Sequence, residues 1–167
     1  MKENGPIIRR ATPDDASGIA AIYSRYVSET TVSFELIPPS VSEMRRRIID
    51  ISSCHPYLVA LTPDGDVVGY CYAHPWKERP AYARTWETTI YLDMDSTGRA
   101  LGRELMSRLI TQCRQLGCLA LIACITAENT GSIAFHTSIG FAKVSHFPQV
   151  GHKFGRYLDV IDMELIL

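Results

Sequence analysis

The sequence lacks an excess of either charge. Lys+Arg 17 against Asp+Glu 18 leave a formal net charge of −1, so no field draws the whole molecule to a nucleic-acid backbone or an anionic membrane. It also lacks an unbroken apolar run of about 18 residues, the length a membrane-crossing helix needs. The opening "MKENGPIIRR" has no apolar segment of the kind that drives secretion. Cys54, Cys71, Cys113, Cys118 and Cys124 form no CxxC pair and no Cys/His cluster, which removes the usual zinc spacings. Their odd number and mostly apolar surroundings argue for reduced, buried thiols instead of a disulfide framework. Neither a full P-loop nor GxGxxG is present, which weakens the case for a generic nucleotide-binding module. These absences lead to an expectation of a cytosolic protein acting on a small molecule or a protein, with no metal, no nucleic acid and no membrane.

What is present fits one domain over residues 1–167: 46% hydrophobic content is enough for one well-buried core in a chain of this length. "PIIRRA" reads as a first strand. Thr12 before Pro13 then starts a helix with Ile19, Ile22, Tyr23 and Tyr26 as its inner stripe. Ser40 and Glu43 have capping-box spacing ahead of Met44, Ile48 and Ile51, with three arginines expected on a solvated face. "YLVALTPDGDVVGYCYAHPW" reads as a hairpin around Pro-Asp-Gly. In "TWETTIYLDM", Trp86, Thr88, Ile90 and Leu92 share one strand face, with Glu87, Thr89 and Tyr91 on the other.

"MDSTGRALGRELM" is a strand-to-helix turn, and its own residues leave open whether it cradles a phosphate or only starts a helix. Leu101, Leu105, Leu109, Ile110, Cys113 and Leu116 follow at helical spacing as far as Gly117. "CLALIACIT" is an apolar strand, "TGSIAFHTSIG" a short helix, and the tail two strands around a basic, aromatic loop. The sum is an α/β (α+β) chain with a mixed sheet and helices on both faces.

The combination of strand, short loop with Gly98 and Gly102, helix, apolar strand and "NTGSIAFHTSIGF" resembles the GCN5-related N-acetyltransferase (GNAT) superfamily. Together with "TVSFE", "RPAYARTWETTIYLD" and "GHKFGRYLDV", it resembles more narrowly the branch that acetylates phosphinothricin, methionine sulfoximine and methionine sulfone. The resemblance implies the GNAT fold, a central mixed, mostly antiparallel sheet, with acetyl-CoA as co-substrate and a homodimer. The superfamily pattern Q/R-x-x-G-x-G/A falls on residues 97–102, where Thr97 and Ala100 depart from it. It implies pyrophosphate contacts from Gly98, Arg99, Ala100, Leu101, Gly102 and Arg103, and pantetheine contacts from the backbone of Ile90, Tyr91 and Leu92. Asn129 and Ser132 would cap the short helix, bind the coenzyme, or do both.

Two residues carry the implied chemistry. Glu87 matches the branch's general base, which must take a proton from an ammonium before attack; position alone favours a structural carboxylate paired with Arg84 or another nearby cation, and the resemblance reverses that. His136 stands at the place of the general acid for the departing thiolate; otherwise it is a satisfied, half-buried polar residue. Phe34, Lys77, Glu78, Arg79, Tyr82, Glu87, Thr88 and Thr89 are the implied acceptor-lining residues, with Trp76, Arg84, Lys153 and Arg156 as further candidates. The implied reaction is direct acetyl transfer to the primary amine of a small amino-acid-like substrate. Acetylation of a protein N-terminus, or silent binding of an acyl-CoA, stands as the alternative.

Overall fold

The computed structural model describes residues 5–96 and 99–167. Eleven elements follow in chain order: β1 Ile7–Arg10, α1 Ala16–Glu29, α2 Val41–Ser52, β2 Tyr57–Leu61, β3 Val67–Pro75, β4 Thr85–Leu92, α3 Arg99–Gln115, β5 Ala120–Thr126, α4 Thr130–Ser138, β6 Ala142–Lys153 and β7 Arg156–Ile166. Local chemistry explains the starts. Pro13–Asp15 form a 3-10 turn ahead of α1, and the Asp15 carboxylate accepts from the Thr12 N–H at 2.7 Å and from both Arg9 terminal nitrogens at 2.8 and 2.7 Å. Ser40 Oγ accepts the Glu43 N–H at 3.1 Å, an N-cap for α2.

All seven strands join one sheet in the order β1-β2-β3-β4-β5-β7-β6. Every pairing is antiparallel except β4 with β5. The helices divide between the faces. One face carries Leu105, Met106, Leu109 and Cys113 of α3 over Trp86, Leu121 and Met163; the other carries Ile19, Tyr23, Met44 and Ile48 of α1 and α2 over Tyr57, Val59 and Tyr70. The alternation read into β4 holds, since Trp86, Ile90 and Leu92 join the first cluster and Tyr91 packs on the second.

Four details differ from the sequence reading. Leu116, assigned to the α3 stripe, is exposed, because α3 has already ended at Gln115. Arg47, one of three arginines assigned to solvent, turns inward to Glu35 at 2.6 Å and Glu43 at 2.9 Å. The basic, aromatic loop of the tail contracts to a two-residue turn, Phe154 and Gly155, both at positive φ, with Lys153 opposite Arg156. Cys54 and Cys124 are exposed, whereas Cys71, Cys113 and Cys118 are buried; all five are free thiols.

The site is created by a failure of pairing. β4 and β5 run side by side only at Thr85–Ala120, Trp86–Leu121 and Glu87–Ile122. Beyond that register β4 continues to Leu92 and β5 to Thr126, so the two strands diverge and their facing edges lose their sheet partner. Backbone N–H and C=O groups along such an edge must find another partner, and Glu87 stands at the fork.

Candidate active site

The fork opens into a cavity of about 440 Å³. Its walls are residues Glu87 to Tyr91 of β4, Ala123 to Thr126 of β5, Val32 to Glu35 of the α1–α2 connection, Tyr72 and His74 of β3, and Asn129, Ser132 and His136 at α4. A volume of this size suits a small molecule rather than a protein surface.

The wall formed by residues 31–35 is fastened from several elements. Thr126 donates to the Thr31 carbonyl at 2.7 Å, Lys153 Nζ donates to the Ser33 carbonyl at 2.6 Å, and Tyr23 donates to Glu35 at 3.0 Å, with its hydroxyl also 2.7 Å from Ser33 Oγ. Arg47 grips the Glu35 carboxylate through two nitrogens, at 2.6 and 3.3 Å. Phe34 lies over Gly151, where any Cβ would come within 2.2 Å of its ring. Glycine at 151 is therefore a packing requirement of the wall.

Glu87 projects from the fork with no Arg or Lys beside it among the described residues. Arg84 is turned away, its Nε donating to the Gly117 carbonyl at 2.8 Å, so the structural ion pair weighed for Glu87 is absent. His74 stands directly opposite on β3, its Nε2 4.0 Å from Glu87 Oε1. On the other flank the Cys124 thiol lies between Glu87 and Asp162, which faces Cys124 in the β5–β7 register. Partial burial raises the Glu87 carboxyl above its usual range, opposed by the nearby His74 imidazole and the Cys124 hydrogen bond. Burial and the two carboxylates push the Cys124 thiol up as well, so it keeps its proton.

His136 is buried on α4, edge-on to Phe135 and Phe141 at 5.3 and 5.1 Å. Its Nδ1 lies 2.8 Å from the Ser132 carbonyl. A carbonyl only accepts, so the proton sits on Nδ1 and Nε2 carries the lone pair. Burial lowers the ring's pKa, which favours the neutral form. Asn129 Oδ1 accepts the Ser132 N–H at 3.1 Å and caps α4.

The remaining expected residues fall at three places. Ile90, Tyr91 and Leu92 lie on β4 beyond its last β5 partner, and the Leu92 carbonyl accepts from Tyr26 at 2.7 Å. Ala100, Leu101, Gly102 and Arg103 open α3; Gly102 packs under Leu92 and Phe135, and Arg103 reaches Ser138 Oγ at 3.0 Å, tying α3 to α4. Gly98 and the Arg99 side chain, with Thr97, lie outside the described residues. Phe34, Thr88 and Thr89 line the cavity. Lys77, Glu78, Arg79 and Tyr82 do not; they sit on the β3–β4 connection, where Lys77 Nζ caps the Trp76 ring at 4.1 Å. Lys153 lies behind the wall on Ser33, and Arg156 pairs with Glu128 at 2.8 Å.

Tyr72, His74, Cys124 and Glu35 belong to the site but were not singled out from the sequence. The signal available was alternation: His74 and Tyr72 occupy one face of a strand whose partner carries Glu87.

A diverging strand pair, a helix N-terminus beyond it and a carboxylate at the fork define a class, acyl-CoA-dependent transferases. The edges fit the coenzyme, because its pantetheine arm offers amides that pair as a strand would, and its pyrophosphate suits the N-terminal end of α3. The family profile described as "Acetyltransferase (GNAT) domain" matches residues 8–161. The chain belongs to this family, and it is an acetyl-CoA-dependent N-acetyltransferase. It is 38% identical over 159 residues to the phosphinothricin N-acetyltransferase of Alcaligenes faecalis, covering 94% of this chain and 80% of that one. It is 35% identical over 162 residues to the L-methionine sulfoximine/L-methionine sulfone acetyltransferase of Pseudomonas paraeruginosa, covering 96% and 94%. The solved phosphinothricin acetyltransferase of Sinorhizobium meliloti, in complex with acetyl-CoA, superposes with a TM-score of 0.93 at 35% identity, over 98% of this chain and 89% of that one.

Proposed function

We propose that this chain, folded as one domain over residues 1–167 and working in the cytoplasm, acetylates the primary amine of a small amino acid of the methionine sulfone, methionine sulfoximine or phosphinothricin type. The observation that carries the reading is Glu87 at the β4–β5 fork, inside a cavity of about 440 Å³ and without an Arg or Lys partner among the described residues. The coenzyme supplies the acetyl thioester. Ile90, Tyr91 and Leu92 offer it backbone groups, Gly98, Arg99, Ala100, Leu101, Gly102 and Arg103 form the pyrophosphate cradle at the start of α3, and Asn129 and Ser132 flank it from α4.

Glu87 takes a proton from the substrate ammonium, leaving a nitrogen lone pair free to attack. His136 acts at the leaving side. Its Nε2 lone pair accepts the second proton that the nitrogen must lose and returns it to the departing thiolate, so the ring ends neutral, as it began. The lowered pKa makes the protonated ring a strong donor for that return. Phe34, Thr88 and Thr89 hold the acceptor, while Lys77, Glu78, Arg79 and Tyr82, outside the cavity wall on the β3–β4 connection, are acceptor residues by the family resemblance alone.

The working unit is a homodimer. Support comes from the sheet edge: β6 has no further neighbour among the described residues, and it and the start of β7 leave Val144, Phe147, Val150, Phe154 and Tyr157 exposed, an apolar edge that proteins cover.

The test is thiol release from acetyl-CoA with a panel containing L-methionine sulfone, L-methionine sulfoximine, phosphinothricin and an N-terminal peptide. Turnover of the amino acids above the peptide supports the reading. Coenzyme binding without turnover of any amine overturns it.

A further inference from the structure

Three titratable side chains neighbour Glu87: His74 opposite it on β3, Cys124 on β5 two residues beyond its register partner Ile122, and Asp162 on β7 opposite Cys124. The base can turn over only if the proton it takes leaves again before the next cycle. We infer that His74 is the positioning residue that empties Glu87, receiving its proton at Nε2 across 4.0 Å and passing it to solvent. This rests on the reading of Glu87 as the base.

Tautomer, placement and the lack of a rival support the assignment. His74 Nδ1 lies 3.0 Å from the Pro75 carbonyl, which can only accept, so Nδ1 keeps a proton and Nε2, the nitrogen facing the Glu87 carboxyl, is the one free to exchange its own. His74 is opposite Glu87 in the β3–β4 register, lines the cavity and is one-third exposed, so it meets both the base and bulk water. One water molecule spans a 4.0 Å gap by bridging its two ends. Each of the other titratable groups around the pair fails one requirement. The Cys124 thiol, partly desolvated at the cavity wall and flanked by two carboxylates, keeps its proton, as does the buried Tyr72 hydroxyl, so neither accepts from a carboxylic acid at neutral pH. Asp162 is reached only beyond Cys124. His55 sits edge-on to Trp86 at 4.7 Å, outside the cavity wall.

The step balances. The ammonium N–H bond breaks as the Glu87 O–H bond forms; that O–H bond then breaks as Nε2–H forms; the imidazolium releases the proton from Nε2 to water. Nothing is oxidised, and both side chains end as they began.

His74→Ala and His74→Gln are assayed with acetyl-CoA and L-methionine sulfone beside Glu87→Gln. Both His74 variants should lose about 100-fold in kcat, the low end of what proton transfer contributes, with KM for acetyl-CoA unchanged. The acid limb of kcat/KM should move to higher pH, because the ring whose electrostatic effect pulls the Glu87 carboxyl down is gone. Added imidazole should restore kcat in His74→Ala, a response that a merely structural residue would not give. A wild-type kcat and pH profile in both His74 variants, or a loss confined to KM for the amino acid and insensitive to imidazole, overturns the relay. If Glu87→Gln itself keeps the wild-type rate, the base assignment fails first. Inactive Glu87→Gln with wild-type His74→Ala removes the relay alone.

Discussion

At the scale of single residues, what matters about Glu87 is its company. A carboxylate flanked by a thiol that keeps its proton and by a one-third-exposed imidazole, with no guanidinium in reach among the described residues, is raised by burial instead of being pinned low by an ion pair. A group with a raised pKa is protonated, and useless as a base, below that value. Activity is therefore expected to fall as pH drops through a point above the ordinary Glu range, and the limb should vanish in Glu87→Gln together with about 10²–10⁴-fold of kcat. His136 shows the converse. Burial keeps it neutral against the opposing pull of the Ser132 carbonyl, which holds the ring proton on Nδ1 and leaves Nε2 as the lone-pair atom, so His136→Phe should lower kcat while the acid limb, which belongs to Glu87, stays in place; steady-state kinetics across pH checks both.

At the scale of elements, the cavity depends on a strand pair that parts and on a wall that does not move. The wall at 31–35 is pinned by α1, α2, β5 and β6, and Phe34 keeps its place because residue 151 has no Cβ. Gly151→Ala should push the Phe34 ring out, raising KM for the amino acid about tenfold, roughly 1.4 kcal/mol, with KM for acetyl-CoA unchanged. The elements themselves were readable from sequence, because apolar spacing distinguishes helix from strand and Thr12, Ser40 and Gly117 mark the boundaries. The length over which β4 stays paired with β5 was not, since periodicity fixes which face a side chain takes but says nothing of how many residues two strands share. For the same reason Glu87 could be singled out while His74 could not: their meeting is a matter of register. Apart from Phe34, the 31–35 wall was named only as a stretch of resemblance, its fastenings being long-range contacts from Arg47, Thr126 and Lys153. Cys124 was read as buried because its run is apolar, yet the parting of the strands exposes it to the cavity.

At the scale of the whole molecule, one sheet carries two cores, and its two ends face different demands. At the β1 end, Arg9 and the backbone of Thr12 hold Asp15, whose carboxyl lies below the usual range, the Arg9 hydrogen bond and the Thr12 N–H overcoming the cost of burial. A lowered folded-state pKa stabilises above the unfolded value and is lost as pH falls through the folded one. Asp15→Asn should thus cost about 1 kcal/mol at neutral pH, allowing for the partly exposed Arg9, and the gap from wild type in thermal unfolding should close in acid. At the other end, the apolar β6 edge should place the protein at twice 18.7 kDa in light scattering, and Val150→Asp should shift it toward the monomer.

The account as a whole turns on whether Glu87 is the base of an amino-acid N-acetyltransferase. The most direct measurement is the pH dependence of thiol release from acetyl-CoA with L-methionine sulfone, for wild type and Glu87→Gln. The expected result is turnover with an acid limb above the ordinary Glu range in wild type and a flat, strongly reduced rate in the variant. Equal rates and the same limb in both proteins would contradict it.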